Sequence, residues 1–158
     1  MRGHKSLRDL HTDSRLRARR VRQCGQLVIV CGVLALGSIE IASAKDFTLL
    51  LTGDKEVPCV TTEASATGVI SVADDHSISG TIHTTGIDGT VARIYVQSPG
   101  RNGRAIVTLQ WIDDNTWTVP LGSRLTEVQY NYYKFGLLYV NIQSAANPTG
   151  EIRAQIQP

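Results

Sequence analysis

From Lys45 to the C-terminus, short β-branched and aromatic runs alternate with turn residues every 8 to 14 positions, the rhythm of an all-β sandwich or barrel. The pattern predicts strands at 46–52, 67–73, 77–85, 91–97, 104–112, 116–120, 136–143 and 150–156. Between them "ADDHS", "GIDGT", "SPGRNG" and "IDDNT" supply the Asp, Asn, Pro and Gly of tight reversals. These signals imply an antiparallel, Greek-key-like β-sandwich of about eight strands. The exception is "LTEVQYNYYKF", where Leu125, Val128, Tyr132 and Phe135 recur at helical spacing. Thr126 and Gln129 fit a capping box there, and Gly136 stands where the helix would stop. One short helix over an open end of the sandwich is expected.

Two strands alternate so regularly that their faces can be named. In "ARIYVQ", Ala92, Ile94 and Val96 oppose Arg93, Tyr95 and Gln97. In the hairpin "GLLYVNIQSAANPTGEIRAQI", Leu138, Val140, Ile142, Ile152, Ala154 and Ile156 make a dry face. Tyr139, Asn141, Gln143, Glu151, Arg153 and Gln155 make the opposite, polar one.

Charge divides the chain. Residues 1–44 carry net +5 and residues 45–158 net −3, so the whole-chain balance misdescribes the part that folds. The first segment is basic, then apolar over "LVIVCGVLALG", then ends in Ala42-Ser43-Ala44, a small-x-small pattern. It reads as a signal peptide cleaved after Ala44, with 45–158 as the exported domain. The apolar run is about half of the roughly 20 residues a bilayer-spanning helix needs. Contact with a membrane is therefore expected only through an uncleaved leader, and the product is expected in the periplasm, on the cell surface or secreted. Cys24 and Cys31 fall in the leader, leaving Cys59 alone and expected as a small buried thiol.

Common chemistries find little support. A net-acidic domain with scattered Lys and Arg lacks the basic stripe that nucleic acid requires. Residues 45–158 contain no CxxC, no nucleophile elbow and no phosphate loop at "TGDKE". Asp74/Asp75 and Asp113/Asp114 read as solvated turns rather than calcium ligands. The expectation is a protein that is not an enzyme and has no cofactor. A metal or redox protein would need His76, His83 and Cys59 to converge. An envelope-polymer hydrolase would need two carboxylates facing a cleft.

"FTLLLTGDKEVPCVTTEASATGVISV", "GRNGRAIVTL" and "LTEVQ...GLLYVNIQSAANPTGEIRAQI" together resemble the CHRD domain, the module first named in chordin and found in many bacterial exported proteins. "EVP" at Glu56–Pro58, "NG" at Asn102–Gly103 and the run Leu138–Ile156 carry the likeness most specifically. The resemblance implies a β-sandwich extracellular module; for bacterial members it supplies no settled biochemical activity. Where such chains typically carry His-Ile-His and Asn-Val-His-Thr, this one has Arg93-Ile94-Tyr95 and Asn141-Ile142-Gln143-Ser144. Converging histidines would suit zinc or copper, but a permanently cationic Arg repels a metal ion. This leaves a polar patch of Arg93, Tyr95, Asn141 and Gln143. It reads either as a hydrogen-bonded network with Arg93 on Glu151 or Glu56, or as an anion or glycan site with Tyr95 or Trp111 as a stacking surface. Glu56, Glu151 and Arg153 read as fold-specifying ion-pair residues. The function implied is a non-catalytic exported binding or structural module, with an extracellular or envelope protein or a glycan as partner.

Overall fold

A computed structural model describes residues 44–158. The expected leader, with Cys24 and Cys31, lies outside the described residues except for Ala44. Nine strands form one antiparallel sheet: β1 (Ala44–Thr52), β2 (Ser65–Ala73), β3 (Ile78–Thr85), β4 (Gly89–Val96), β5 (Arg104–Thr108), β6 (Gln110–Asp113), β7 (Thr116–Thr118), β8 (Leu138–Ser144) and β9 (Ile152–Ile156). Their order is β5-β4-β8-β9-β1-β2-β3-β7-β6. The all-β class is as expected. Rather than two separate sheets, one continuous ladder surrounds a single core.

The ninth strand comes from the run 104–112, which reads as one strand but is used as two. Leu109 turns inward to 4% exposure and donates its N–H to the Ala92 carbonyl at 2.9 Å. Residues before it pair with β4, and those after it with β7. The chain therefore steps from one edge of the sheet to the other within a single residue. At this seam the two ends approach: a side-chain carbon added at Gly89 on β4 would lie 3.2 Å from Trp117 of β7.

Leu51, Ile70 and Ile82 from β1–β3 meet Ile94, Val140, Ile142, Ile152 and Ile156 from the other half in that core. Each such side chain contributes roughly 1.5–3 kcal/mol by leaving water. The core, with no disulfide among the described residues to assist it, holds the fold together. Cys59 is exposed, contrary to the expected buried thiol. It lies in the connection between β1 and β2, which crosses the outside of the sheet and keeps Cys59 clear of the core.

The helix α1 (Glu127–Lys134) starts at the expected capping box: Thr126 Oγ1 accepts from the Gln129 N–H, and the Gln129 side chain accepts from the Thr126 N–H. Gly136, at φ +66°, donates to the Tyr133 carbonyl and ends it. Its buried side differs from expectation. Leu125 and Tyr133 are buried, Tyr130 and Tyr132 pack partly against the core, and Val128 and Phe135 face solvent. Tyr133 meets Phe47 of β1 edge-on, and this contact sets the helix's rotation.

Candidate functional site

The polar sides of β4, β8 and β9 form adjacent rows. Arg93 stands opposite Asn141, which stands opposite Arg153, and Tyr95 stands opposite Tyr139. The structure thus places Arg93, Tyr95, Asn141 and Gln143 on one face of two neighbouring strands. Within that group Gln143 donates to the Tyr95 hydroxyl at 3.1 Å, and Tyr95 stacks on Tyr139 with centroids 5.2 Å apart.

This face is not wet along its length. Two loops cover its β8–β9 part, and Asn141 and Arg153 are only 3% and 2% exposed. The first covering loop is the β1–β2 connection, which begins with a 3-10 turn at Gly53–Lys55. Its Glu56, 6% exposed, accepts from Asn141 Nδ2 at 2.6 Å. The second is the β4–β5 connection: Gly103 N–H donates to the Tyr139 hydroxyl at 3.0 Å, and Asn102 Nδ2 donates to the Val57 carbonyl at 2.6 Å. Asn102 thereby ties the loops to each other.

Arg153 sits beneath both. Its guanidinium carbon lies 3.4 Å from the Tyr139 ring centroid, and Nη1 donates to the Arg101 carbonyl at 3.0 Å and to Asn102 Oδ1 at 3.3 Å. Burial pushes Arg153 below its ordinary pKa, while Tyr139 and Glu56 act in the opposite sense. Gly150 completes the framework at φ +145°, packed directly on the Asn141 amide and the Glu56 carboxylate.

Two expectations are corrected here. Arg93 does not meet Glu56 or Glu151, because Glu56 is taken by Asn141 and Glu151 by Thr62 (2.7 Å) and Ser144. Nor do Glu56, Glu151 and Arg153 form ion pairs within 4.0 Å: the ion pairs among the described residues are Lys55–Asp54, His76–Glu127 and Arg124–Asp75. The network runs on hydrogen bonds and stacking because each loop offers backbone groups where an ion pair would need a second buried charge.

Burial raises the Glu56 pKa to about 7 against the downward pull of Arg153. An unfolded Glu56 ionises near 4.5, so between these values the folded chain binds more protons. This group's contribution is full below about pH 4.5, declines as pH rises toward 7, and changes no further above that. The loss expected across that window is on the order of 2–3 kcal/mol, measured by urea denaturation at pH 5 and pH 8. Glu56→Gln, which can still accept from Asn141, should remove the slope; an unchanged slope would assign it elsewhere. Glu151 behaves oppositely: burial raises it, but hydrogen bonds from Ser144, Thr62 and Asn147 outweigh burial and hold it low. Its contribution is lost only as pH falls through that depressed value.

Arg93 belongs to a different place. It lines a cleft of about 480 Å³ at the seam, together with Asp88, Gly89, Trp111, Asp114 and Trp117. Trp111, singled out as a stacking surface, is 54% exposed, and its cross-strand partner Trp117 is 4% exposed. The Trp117 indole N–H finds no partner among the described residues. Sequence reasoning missed Asp88 and Trp117, since "GIDGT" and "TWTVP" read only as a turn and a strand. Tyr95, the other proposed stacking surface, is occupied by Tyr139 and Gln143.

His83 lies beside Thr116, and His76 stacks on Tyr130. Among the described residues no three His, Cys, Asp or Glu side chains gather as a metal site would require. Asp75 and Asp113 accept from their own turns, at the N–H of Ser77 and of Asn115 respectively.

An antiparallel all-β domain with a roofed polar framework defines the structural class. The CHRD domain family model matches residues 47–156, and the chain belongs to the CHRD domain family. No curated protein and no solved structure matches it. The motif residues that carried the resemblance, Glu56, Asn102, Gly103, Gly150 and Arg153, are those that pin the two loops to the sheet. No helix among the described residues is long and apolar enough to cross a membrane.

Proposed function

We propose that this protein is an exported, non-catalytic binding module of the cell envelope or extracellular space, and that the seam cleft is its binding surface. Membership of the CHRD family supports the extracellular module, and the leader pattern supports export. The observation that carries the site is Arg93: a half-buried cation without an ion pair among the described residues, beside an exposed Trp111 in a cleft of ligand size. The roofed face is covered by its own loops, which bond Asn141, Tyr139 and Arg153, and is scaffold.

Fractionation of cells expressing the full chain, with mass determination of the product, tests export. The expected mass begins at Lys45 in an extracytoplasmic fraction; an intact chain in the cytosol contradicts it. Capture of envelope polymers by the wild type should fall at least tenfold on Arg93→Ala, and equal capture removes the cleft from the account.

One observation favours a second reading as an envelope-polymer hydrolase, since Asp88 and Asp114 both line the cleft. Both are exposed, without the contrast of environments that separates an acid from a base or nucleophile in glycoside hydrolysis. Polymer hydrolysis abolished by Asp88→Asn would establish it.

A further inference from the structure

We infer that the seam cleft takes an uncharged sugar unit of a glycan, with the apolar face of the ring on Trp111 and its hydroxyls between Arg93 and the two carboxylates. The inference rests on the reading of the cleft as the binding surface and adds the class of ligand.

The cleft, at about 480 Å³, falls within the range of small-molecule sites, roughly 300–1,000 Å³. Its aromatic wall is the Trp111–Trp117 cross-strand pair, of which the outer member is left uncovered. A large exposed indole beside polar groups suits a ligand with one apolar face and a polar rim, which is the surface of a pyranose ring.

One guanidinium and two carboxylates face the space, a local balance of one negative charge. A phosphate or uronate would meet two carboxylates for a single arginine, and like charges in a cleft disfavour it. Neutral hydroxyls, which donate and accept at once, satisfy both kinds of group: Arg93 offers only donors, and Asp88 and Asp114 offer only acceptors when ionised.

Trp117 itself lines the cleft, its indole N–H has no partner among the described residues, and a side-chain carbon at Gly89 would stand 3.4 Å from that nitrogen. Trp117 therefore makes a built-in reporter.

The test uses the full chain labelled with nitrogen-15. It has two tryptophans, hence two indole N–H resonances, assigned through Trp111→Ala. Titrants are neutral trisaccharides of glucose and of N-acetylglucosamine, a trimer of galacturonic acid, and trilysine. The expected result is a saturable shift of both indole resonances with at least one neutral trisaccharide, at least tenfold tighter than with the uronate or trilysine. Trp111→Ala and Arg93→Ala, each with an otherwise unchanged spectrum, should weaken it tenfold or more. Saturation by the uronate or trilysine instead overturns the neutral sugar and leaves the cleft as the binding surface. No shift of either indole with any neutral trisaccharide overturns the inference, while the capture experiment with Arg93→Ala judges the cleft independently.

Discussion

Arg153→Ala is expected to lower the stability of the folded domain by about 4 kcal/mol. A desolvated cation over an aromatic face is worth about 2 kcal/mol, and hydrogen bonds from a charged donor about 1.5–3 kcal/mol. Arg153 makes one such stacking contact, on Tyr139, and two such bonds, to Arg101 and Asn102. Those terms overlap, and burying the cation has its own cost, visible in Nη2, which has no partner among the described residues. About 4 kcal/mol is the net. Lysine would not rescue it, because an ammonium cannot lie flat on Tyr139 as the planar guanidinium does. Urea denaturation of wild type, Arg153→Ala and Arg153→Lys measures this. Faster amide exchange at Asn102 and Gly103 in both variants would locate the damage in the β4–β5 loop, and wild-type midpoints in both would show that Arg153 does not hold it.

Gly150→Ala should cost about 3 kcal/mol although it adds one methyl group. At φ +145° an L-residue is strained by about 1–3 kcal/mol before any contact is considered. The new carbon would also overlap the Asn141 amide and come within 2.8 Å of both Glu56 carboxylate oxygens. Those atoms form a buried bond with little room to retreat, since Asn141 is fixed in the middle of β8. This change should also disturb Glu56 through direct overlap with its carboxylate. The pH slope between about 4.5 and 7 should therefore alter with the midpoint, and a variant that loses stability equally at pH 5 and pH 8 would separate Gly150 from the carboxyl.

Much of the framework is legible in the chain itself. The alternation of Arg93, Tyr95, Asn141 and Gln143 puts them on one face of their strands, and the capping box of Thr126 and Gln129 starts the helix where its side chains say it should. Alternation reports chemistry, however, and not exposure. Tyr139, Asn141 and Arg153 look like a solvent face because they are polar; they are buried because residues 53–64 and 97–103, remote in sequence, fold over them. For the same reason Arg93 and Arg153, alike as polar residues alternating with apolar ones, have different surroundings that no local pattern separates. The break at Leu109 is hidden as well, because "RAIVTLQWI" has the composition of one strand. Only the arrival of β4 on one side and β7 on the other divides it. The cleft is a product of that break, which explains why Asp88 and Trp117 carry no signal in isolation.

The central claim is a division between two arginines: Arg153 holds the fold, and Arg93 faces the cleft. The most direct test is the equilibrium stability of Arg93→Ala, measured beside wild type and Arg153→Ala in one urea series. A change within about 0.5 kcal/mol, as for a side chain outside the framework, is the predicted result. A loss comparable to that of Arg153→Ala would place Arg93 in the framework and contradict the account.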